Sequence, residues 1–428
     1  MNQFFSLIEE KFVPFFAKVG SQKHLAAVRD GFISLVPLAI AGSFAVLLNQ
    51  LPIDAYKNFM GSVFGDSWTS FGGNIWWGTF AIISIFLSFT VSYFLAKSYN
   101  ANGLSAGLIS LSSFFILMPQ VNPDGAWGNI HWGYTNAMGM FVAIIVSLIS
   151  TELFVKLSKA DFLVIKMPEG VPPAVSRSFA ALFPGMIVLA VASLVMILFT
   201  SFETNLFSVV VKYVAMPLTN VADSLGSALL IVFMTHFLWF FGLHGSNIIG
   251  GVVEPILLPL LTKNMELVEA GKSAFSSDLH VVTKPFLDAF VYLGGAGTTL
   301  ALLIAILAVS KRKQLREVGK LGVAPGLFNI NEPVIFGMPI VLNPVLFVPF
   351  ILAPLVLTIV AYTAISLGLV PHTIAMIPWT TPPVIGGALA TGSWQGGVLA
   401  AFNLVLAIVI YIPFIFIADR SELKKENA

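Results

Sequence analysis

Long uncharged stretches alternate with short charged segments along this chain. Each stretch is long enough for a membrane-spanning helix, which needs about 20 apolar residues. Examples of stretches without Asp, Glu, Lys or Arg are residues 31–53, 67–96, 178–202, 289–310 and 333–418. Within the first half, the apolar positions predict five spans, near residues 31–49, 76–96, 104–118, 137–155 and 178–201. The pattern therefore predicts an all-α integral membrane protein.

The second half of the chain has a less regular pattern. Its apolar segments are residues 225–243, 245–262, 289–310, 321–343, 344–369, 373–392 and 396–418. Segments 245–262 and 321–343 are interrupted by Gly and Pro, and the sequence leaves open whether they cross the membrane or are re-entrant. The whole chain is expected to hold about ten transmembrane helices plus these two broken or re-entrant segments, which is typical of transporters.

Three units are expected along the chain. Residues 1–201 form an N-terminal helical domain with an interfacial helix and five spans, residues 202–224 an interfacial connector, and residues 225–428 a C-terminal substrate-binding and transport domain. Helical spacing of aromatic and aliphatic residues predicts that the interfacial helix is amphipathic; a short soluble helix packed on a partner is the alternative. These apolar residues are Phe4, Phe5, Ile8, Phe12, Phe15, Phe16 and Val19.

Composition and charge agree with a membrane location. The chain is 57% hydrophobic and 10% charged, whereas soluble domains are about a quarter charged. Its formal net charge of +1 gives no basis for a nucleic-acid partner. Basic residues cluster around Lys97, 156–177 and 311–316, so the positive-inside rule places both termini in the cytoplasm. The parity of the spans agrees with this rule if 245–262 crosses the membrane. If 245–262 and 321–343 are re-entrant, run 311–316 would lie outside, and the sequence alone does not settle which is correct.

The cysteine and histidine content limits the chemistry. The chain contains no cysteine, so disulfides, thiolate metal sites and a cysteine-bound intermediate on this chain are excluded. Its six histidines show no metal-ligand spacing. We therefore expect neither a metal nor another cofactor.

The first segment with candidate chemistry is 241–255. Four glycines and the pair Glu254-Pro255 interrupt its apolar run, and irregular backbone at membrane depth is tolerated only inside protein or beside a wet cavity. His244, Ser246 and Asn247 are expected to point polar groups into that cavity. The alternative for His244 is a core histidine bonded to a neighbouring helix.

The second such segment, 329–339, contains Asn331, Glu332 and Pro333. Glu332 lies between eleven uncharged residues and 86 uncharged residues, and a lone intramembrane carboxylate is costly enough to suggest a function. A carboxylate that merely joins two helices is the alternative. Glu332 and His244 in one cavity could act as general base and partner on a hydroxyl, or could relay a proton. The residues alone leave both options open.

Aromatic and amide side chains add candidates for sugar binding, because sugar rings stack on aromatic faces and their hydroxyls need polar partners. Trp239 precedes the first segment, and Trp379 lies between Pro378 and Thr380. Asn136 and Asn331 are further amide candidates. Tryptophans in membrane proteins are often interfacial belt residues, which is the alternative for both indoles.

The motifs resemble the membrane-embedded IIC component of the phosphoenolpyruvate-dependent sugar phosphotransferase system, in its lactose, cellobiose and diacetylchitobiose family. The His244 segment and the Asn-Glu-Pro segment at 331–333 are the most specific. The other matching segments are Ala27-Val28-Arg29-Asp30-Gly31-Phe32, Val171-Pro172-Pro173-Ala174-Val175, Phe183-Pro184-Gly185 and Gly294-Gly295-Ala296-Gly297. The resemblance covers nearly the whole chain.

This resemblance implies the membrane subunit of a sugar phosphotransferase complex in the bacterial cytoplasmic membrane. It implies a homodimer, formed through the N-terminal domain, whose C-terminal half holds the sugar. Glu332 and His244 would lie near the C6 hydroxyl, with Trp239, Ser246, Asn247, Asn331, Asn136 and Trp379 as candidate sugar contacts. The phosphoryl donor would be a phosphocysteine on a IIB protein, supplied in turn by IIA, HPr and enzyme I. Because this chain has no cysteine, IIB would be a separate chain.

Two other functions are compatible with the same residues. A proton-coupled secondary sugar transporter would release unmodified sugar, and a membrane sugar sensor would bind without transport. The resemblance favours the phosphotransferase component. Cellobiose, diacetylchitobiose and lactose would all suit the expected pocket, and a β-linked glucose or N-acetylglucosamine disaccharide is favoured.

Overall fold

The computed structural model describes residues 18, 21–50, 54–120, 128–165, 167–168, 170–338, 340 and 344–426. The predicted amphipathic helix at 4–19 lies outside these residues, apart from Lys18. Nineteen α-helices occur in the described part. They are α1 Lys23–Gln50, α2 Asp54–Phe64, α3 Ser70–Trp77, α4 Ile83–Ser98, α5 Gly103–Ile116, α6 Gly139–Leu157, α7 Pro173–Ala180, α8 Leu182–Ser201, α9 Leu206–Val210, α10 Met216–Ala222, α11 Leu225–Phe240, α12 Gly245–Glu269, α13 Lys284–Phe290, α14 Thr299–Val309, α15 Lys313–Leu327, α16 Glu332–Gly337, α17 Pro344–Ser366, α18 Ile385–Thr391 and α19 Trp394–Glu426.

Seven helical segments in the described residues are long and apolar enough to cross a bilayer. The pair Leu206–Ala222 and Leu225–Phe240, bent by 77°, gives an eighth if it counts as one span, and α5 and α14 are shorter apolar helices. The seven are Lys23–Val46, Ser67–Ser98, Gly139–Leu157, Pro173–Ser201, Gly245–Glu269, Val345–Ser366 and Trp394–Asp419. The predicted helical membrane fold is confirmed, with a helix count close to the expected ten.

The irregular segments of the second half differ from the expectation in detail. The break in the chain falls at 241–244, and segment 245–262, which was expected to be broken or re-entrant, lies within the continuous helix α12. Segment 321–343 is divided between α15 and α16. The expectation of a full crossing at 373–392 is wrong, because only the seven residues of α18 are helical there and Pro378, Pro382 and Pro383 disfavour a helix before them.

Segment 289–310 is also only partly helical, since α14 begins at Thr299. The preceding loop contains Gly294, Gly295 and Gly297, whose φ angles are 87°, 93° and 80°. Residues other than glycine rarely adopt such positive φ angles. A Cβ on Gly297 would also lie 2.1 Å from the Phe350 ring. The glycines therefore allow the loop between α13, which ends at Phe290, and α14, in a segment where a continuous span was expected.

The helices bury three large apolar clusters. One joins residues of α1, α4 and α6 with Leu261, Met265 and Met376 from the second half, and the other two are formed by residues of the second half. Because lipid is itself apolar, helices in membranes associate through close packing. Gly31 illustrates this, since a Cβ there would lie 2.7 Å from Cγ2 of Val91.

Candidate functional site

A cavity of about 650 Å³ lies where α1, α11, α12 and α13 meet the irregular segments of the second half. Seven of the eight predicted site residues line it: Trp239, His244, Ser246, Asn247, Asn331, Glu332 and Trp379. Residues that are far apart in the sequence therefore share one pocket.

His244 and Glu332 face each other across this cavity. The distance from His244 Nε2 to Glu332 Oε1 is 3.6 Å, and the two side chains are 40% and 45% exposed. That distance is slightly longer than a hydrogen bond, and it brings the imidazole and the carboxylate to the same small volume. One polar ligand atom could therefore contact both groups.

His244 is fixed by the start of α12. It is the N-cap residue, and its Nδ1 atom accepts a hydrogen bond from the backbone N–H of Asn247 at 3.2 Å. Because Nδ1 is an acceptor, the proton of the neutral ring is assigned to Nε2. Nε2 is thus a donor aimed toward Glu332 and the cavity.

Trp239 packs against the imidazole of His244 and has little surface exposed to a ligand. The ring centroids of the two residues are 4.3 Å apart, and the indole Nε1–H donates to Ser246 Oγ at 3.3 Å. Only 2% of Trp239 is exposed, whereas 55% of Trp379 is exposed. Of the two predicted indoles, Trp379 has the surface available for a ligand.

Glu332 begins the short helix α16, with Pro333 directly after it. Proline is tolerated in the first turn of a helix because the N–H that it lacks has no partner there in any case. The preceding Asn331 is buried and donates from Nδ2 to the Ala296 carbonyl at 2.9 Å. This bond attaches the Glu332 segment to the glycine loop at 294–297.

Asn329 is an organising residue that the sequence reasoning did not select. Its φ angle is 61°, and its Nδ2 donates to the carbonyls of Trp379 at 2.6 Å and Thr381 at 2.9 Å. Its Oδ1 accepts from the Gly294 N–H at 2.7 Å. Asn329 thereby joins three irregular segments around the cavity. Its place within the Asn-Ile-Asn-Glu-Pro run was the only available signal.

A charged cluster in the same cavity was also missed. Glu254, Lys284, Asp288 and Arg29 line it. Lys284 Nζ contacts both carboxylate oxygens of Asp288 at 2.6 Å. The sequence pattern marks Lys284 and Asp288 only as charges at the edge of an apolar segment. In the described part of the chain, no group of three or more His, Asp or Glu side chains is arranged to hold a metal ion.

Asn136 is the predicted site residue that the structure places elsewhere. It is not among the residues that line the cavity, and its Oδ1 accepts from the backbone N–H of Met138 at 3.2 Å. Its side chain is buried in a turn before α6. This local hydrogen bond within the turn explains the polar residue at that position.

The fold and the cavity together define a class of protein. An exposed indole beside amide, imidazole and carboxylate groups suits a polar organic ligand that has an apolar face, as a sugar has. The long apolar helices around the cavity place this site in a membrane protein. The class is therefore a multi-span membrane carrier of a polar organic solute.

Comparison with known proteins identifies the family. The family described as "Phosphotransferase system, EIIC" matches residues 29–354. The lichenan permease IIC component of Bacillus subtilis (strain 168) is 41% identical, with 100% of this chain and 96% of that protein covered. The cellobiose-specific EIIC component of the phosphotransferase system of Geobacillus stearothermophilus is also 41% identical, with 100% and 97% covered.

A solved structure agrees with these relatives. It is the crystal structure of the transporter ChbC, the IIC component from the N,N'-diacetylchitobiose-specific phosphotransferase system, and it matches with a TM-score of 0.90 and 39% identity over 99% of each chain. The chain belongs to the EIIC family of the phosphotransferase system. It is a sugar-translocating subunit of that system, as the sequence resemblance predicted.

Proposed function

We propose that this subunit imports a β-linked disaccharide of the cellobiose or diacetylchitobiose type and presents its C6 hydroxyl for phosphorylation. The observation that carries the proposal is the pairing of His244 and Glu332 inside the cavity. Relatives at about 40% identity with cellobiose and diacetylchitobiose in their names support the substrate class.

The donor is a phosphocysteine on a separate IIB chain. In the transfer, the C6 oxygen attacks phosphorus, the phosphorus–sulfur bond breaks, and the cysteine leaves as a thiolate. Glu332 Oε1 accepts or orients the hydroxyl proton, which later passes to water. The Nε2–H of His244 donates to the sugar or to the phosphoryl group. Phosphoryl transfer depends mainly on in-line placement and charge stabilisation, which fixed polar groups provide.

The remaining cavity residues hold the sugar. Trp379 offers the exposed indole on which a sugar ring stacks, and Ser246, Asn247 and Asn331 supply hydrogen-bonding groups around it. Trp239 acts through His244, because its ring packs against the imidazole and is itself buried.

The assembly follows the family pattern. The chain works as a homodimer formed through residues 1–201, with residues 225–428 as the transport domain and 202–224 as the connector between them. It lies in the bacterial cytoplasmic membrane with both termini inside. IIB receives its phosphoryl group from IIA, and HPr and enzyme I lie upstream of IIA. The basic clusters around Lys97, 156–177 and 311–316 support this orientation.

Uptake by membrane vesicles tests the proposal. Labelled cellobiose and diacetylchitobiose are supplied outside, with phosphoenolpyruvate and the soluble carriers inside. We expect sugar phosphate that depends on the carriers and is lost in Glu332→Gln. The matched control is Glu317→Gln, which changes an exposed carboxylate outside the cavity. Accumulation of free sugar that follows a proton gradient would contradict the proposal.

A further inference from the structure

Glu254, Lys284 and Asp288 form a charged cluster in the wall of the cavity. The Lys284 ammonium bonds to both oxygens of Asp288 at 2.6 Å and lies 3.9 Å from Glu254 Oε1. The side chains of Glu254, Lys284 and Asp288 are 23%, 18% and 7% exposed, respectively. Asp288 is therefore the buried partner that holds Lys284, while Glu254 is the more open carboxylate.

The cluster lies some distance from the proposed reaction centre. Glu254 is ten residues after His244 on α12, which corresponds to about 15 Å along a helix that rises 1.5 Å per residue. Both residues line the same continuous cavity. A ligand of one sugar ring bound at His244 would not extend along this helix to Glu254, whereas a second ring would lie toward it.

The hydrogen-bonding capacity of the cluster is only partly used by its own members. A lysine ammonium has three donors, and two are directed to Asp288. A separation of 3.9 Å is too long for a hydrogen bond, so Glu254 keeps acceptor capacity toward the cavity. Sugar hydroxyls both donate and accept hydrogen bonds. They can therefore accept from the remaining N–H of Lys284 and donate to the carboxylate of Glu254.

The charges of the cluster also suit a ligand that donates hydrogen bonds. Two carboxylates and one ammonium leave the cluster with an excess of acceptors, because the guanidinium of Arg29, which lines the same cavity, is paired with Asp30 at 2.8 Å. Ionisable groups at membrane depth are costly and often mark a substrate path. An uncharged sugar is not repelled by the excess carboxylate and can donate hydrogen bonds from its hydroxyls to it.

We infer that Glu254, positioned by Lys284 and Asp288, forms a second subsite that accepts hydrogen bonds from hydroxyls of the sugar ring that is not phosphorylated. This inference rests on the proposed function, and it assigns the preference for a disaccharide over a monosaccharide to a particular cluster. The His244 and Glu332 pair acts on the first ring, and the Glu254 subsite holds the second.

Equilibrium binding to the purified full chain in lipid nanodiscs, without phosphocarriers, tests this subsite. The probes are cellobiose and diacetylchitobiose, each compared with glucose and N-acetylglucosamine. Because a hydrogen bond to a charged group contributes more than a neutral one, Glu254→Gln is expected to weaken disaccharide binding at least about tenfold. Monosaccharide binding should stay at the wild-type value.

Two further variants make the test decisive. Glu269→Gln removes a carboxylate on the same helix outside the cavity, and it should change neither affinity. If Glu254→Gln does not fold, the triple variant Glu254→Gln, Lys284→Met and Asp288→Leu removes the whole charged cluster without leaving an unpaired charge, and it should show the same selective loss.

The outcomes separate the subsite from the proposed function. Unchanged disaccharide binding, or an equal loss for disaccharides and monosaccharides, overturns the subsite while leaving the proposed function intact. Wild-type protein that binds neither disaccharide overturns both.

Discussion

The Nε2 atom of His244 lies 3.6 Å from the Oε1 atom of Glu332, although 88 positions separate the two residues along the chain. Both stand at the start of a helix, His244 as the N-cap of α12 and Glu332 as the first residue of α16. A helix N-terminus favours negative charge and offers unpaired N–H groups. Two breaks in the chain thus supply the polar surroundings that this pair needs inside a membrane.

Replacing Glu332 separates chemistry from binding. Glu332→Gln keeps the shape of the side chain but removes the proton acceptor, so sugar phosphorylation should fall by at least about 100-fold. Sugar binding should remain close to that of the wild type, because the indole and amide groups are unchanged. Single-turnover transfer from phosphorylated IIB and equilibrium binding measure the two effects. Parallel losses in both would show that Glu332 is instead needed to hold the sugar.

Two substitutions of His244 distinguish its structural role from its chemical role. His244→Asn can still cap α12 through its side-chain oxygen, whereas His244→Ala cannot. We expect the Ala variant to be about 1 kcal/mol less stable than the Asn variant. Both should lose phosphorylation, since neither offers an imidazole N–H to the reacting group. Denaturant unfolding in detergent, together with the transfer assay, checks this; equal stability of the two variants would argue against the cap.

The elements that the sequence predicted well are those with a strong local signal. Uncharged runs predicted the long apolar helices, and an isolated Glu beside Pro predicted the break at Glu332. The resemblance then supplied the pairing of Glu332 with His244, which spacing alone left open. The prediction at 373–392 was wrong because it relied on apolar composition. These residues are apolar and yet form an irregular segment, which the side chain of Asn329 holds by hydrogen bonds.

Residues that act through distant partners could not be found in this way. Asn329 has its carbonyl partners 50 and 52 positions away at Trp379 and Thr381, and no local pattern reveals such contacts. In the sequence, Lys284 and Asp288 are only charges at the boundary of an apolar segment. The fold brings Glu254 of α12 near them. Asn136 lies outside the cavity, and its side chain instead accepts a local hydrogen bond from the backbone N–H of Met138.

The two indoles of the cavity should respond differently to removal. Trp239 is buried against His244, so Trp239→Ala should cost about 3–5 kcal/mol of stability as other large core truncations do. Trp379 is half-exposed, and Trp379→Ala should mainly weaken sugar binding while stability changes little. Thermal unfolding and sugar titration of each variant provide the comparison. A large stability loss in Trp379→Ala would assign that indole to packing.

Asn329 offers a test of the network that holds the cavity together. Its left-handed backbone suits Asn or Gly and is unfavourable for Ala. Asn329→Gly should lose the three side-chain hydrogen bonds, and Asn329→Ala should lose these and add about 1 kcal/mol of backbone strain. Sugar affinity should fall in both variants, because the segments of Glu332 and Trp379 are no longer joined. Stability measurements in which Ala is tolerated better than Gly would contradict the backbone argument.

Single cysteines test the orientation of the chain, because the protein has no cysteine of its own that would react. Lys57→Cys should react with a membrane-impermeant maleimide on intact cells, whereas Lys159→Cys and Lys313→Cys should react only after permeabilisation. Four spans separate Lys159 from Lys313. They are α8, the bent pair Leu206–Ala222 and Leu225–Phe240 counted as one span, α12 and α14. These are four crossings, an even number, so both positions face the same side and agree with the positive-inside rule. Labelling of Lys313→Cys on intact cells would mean that one of the four, most simply the 11-residue α14, does not cross.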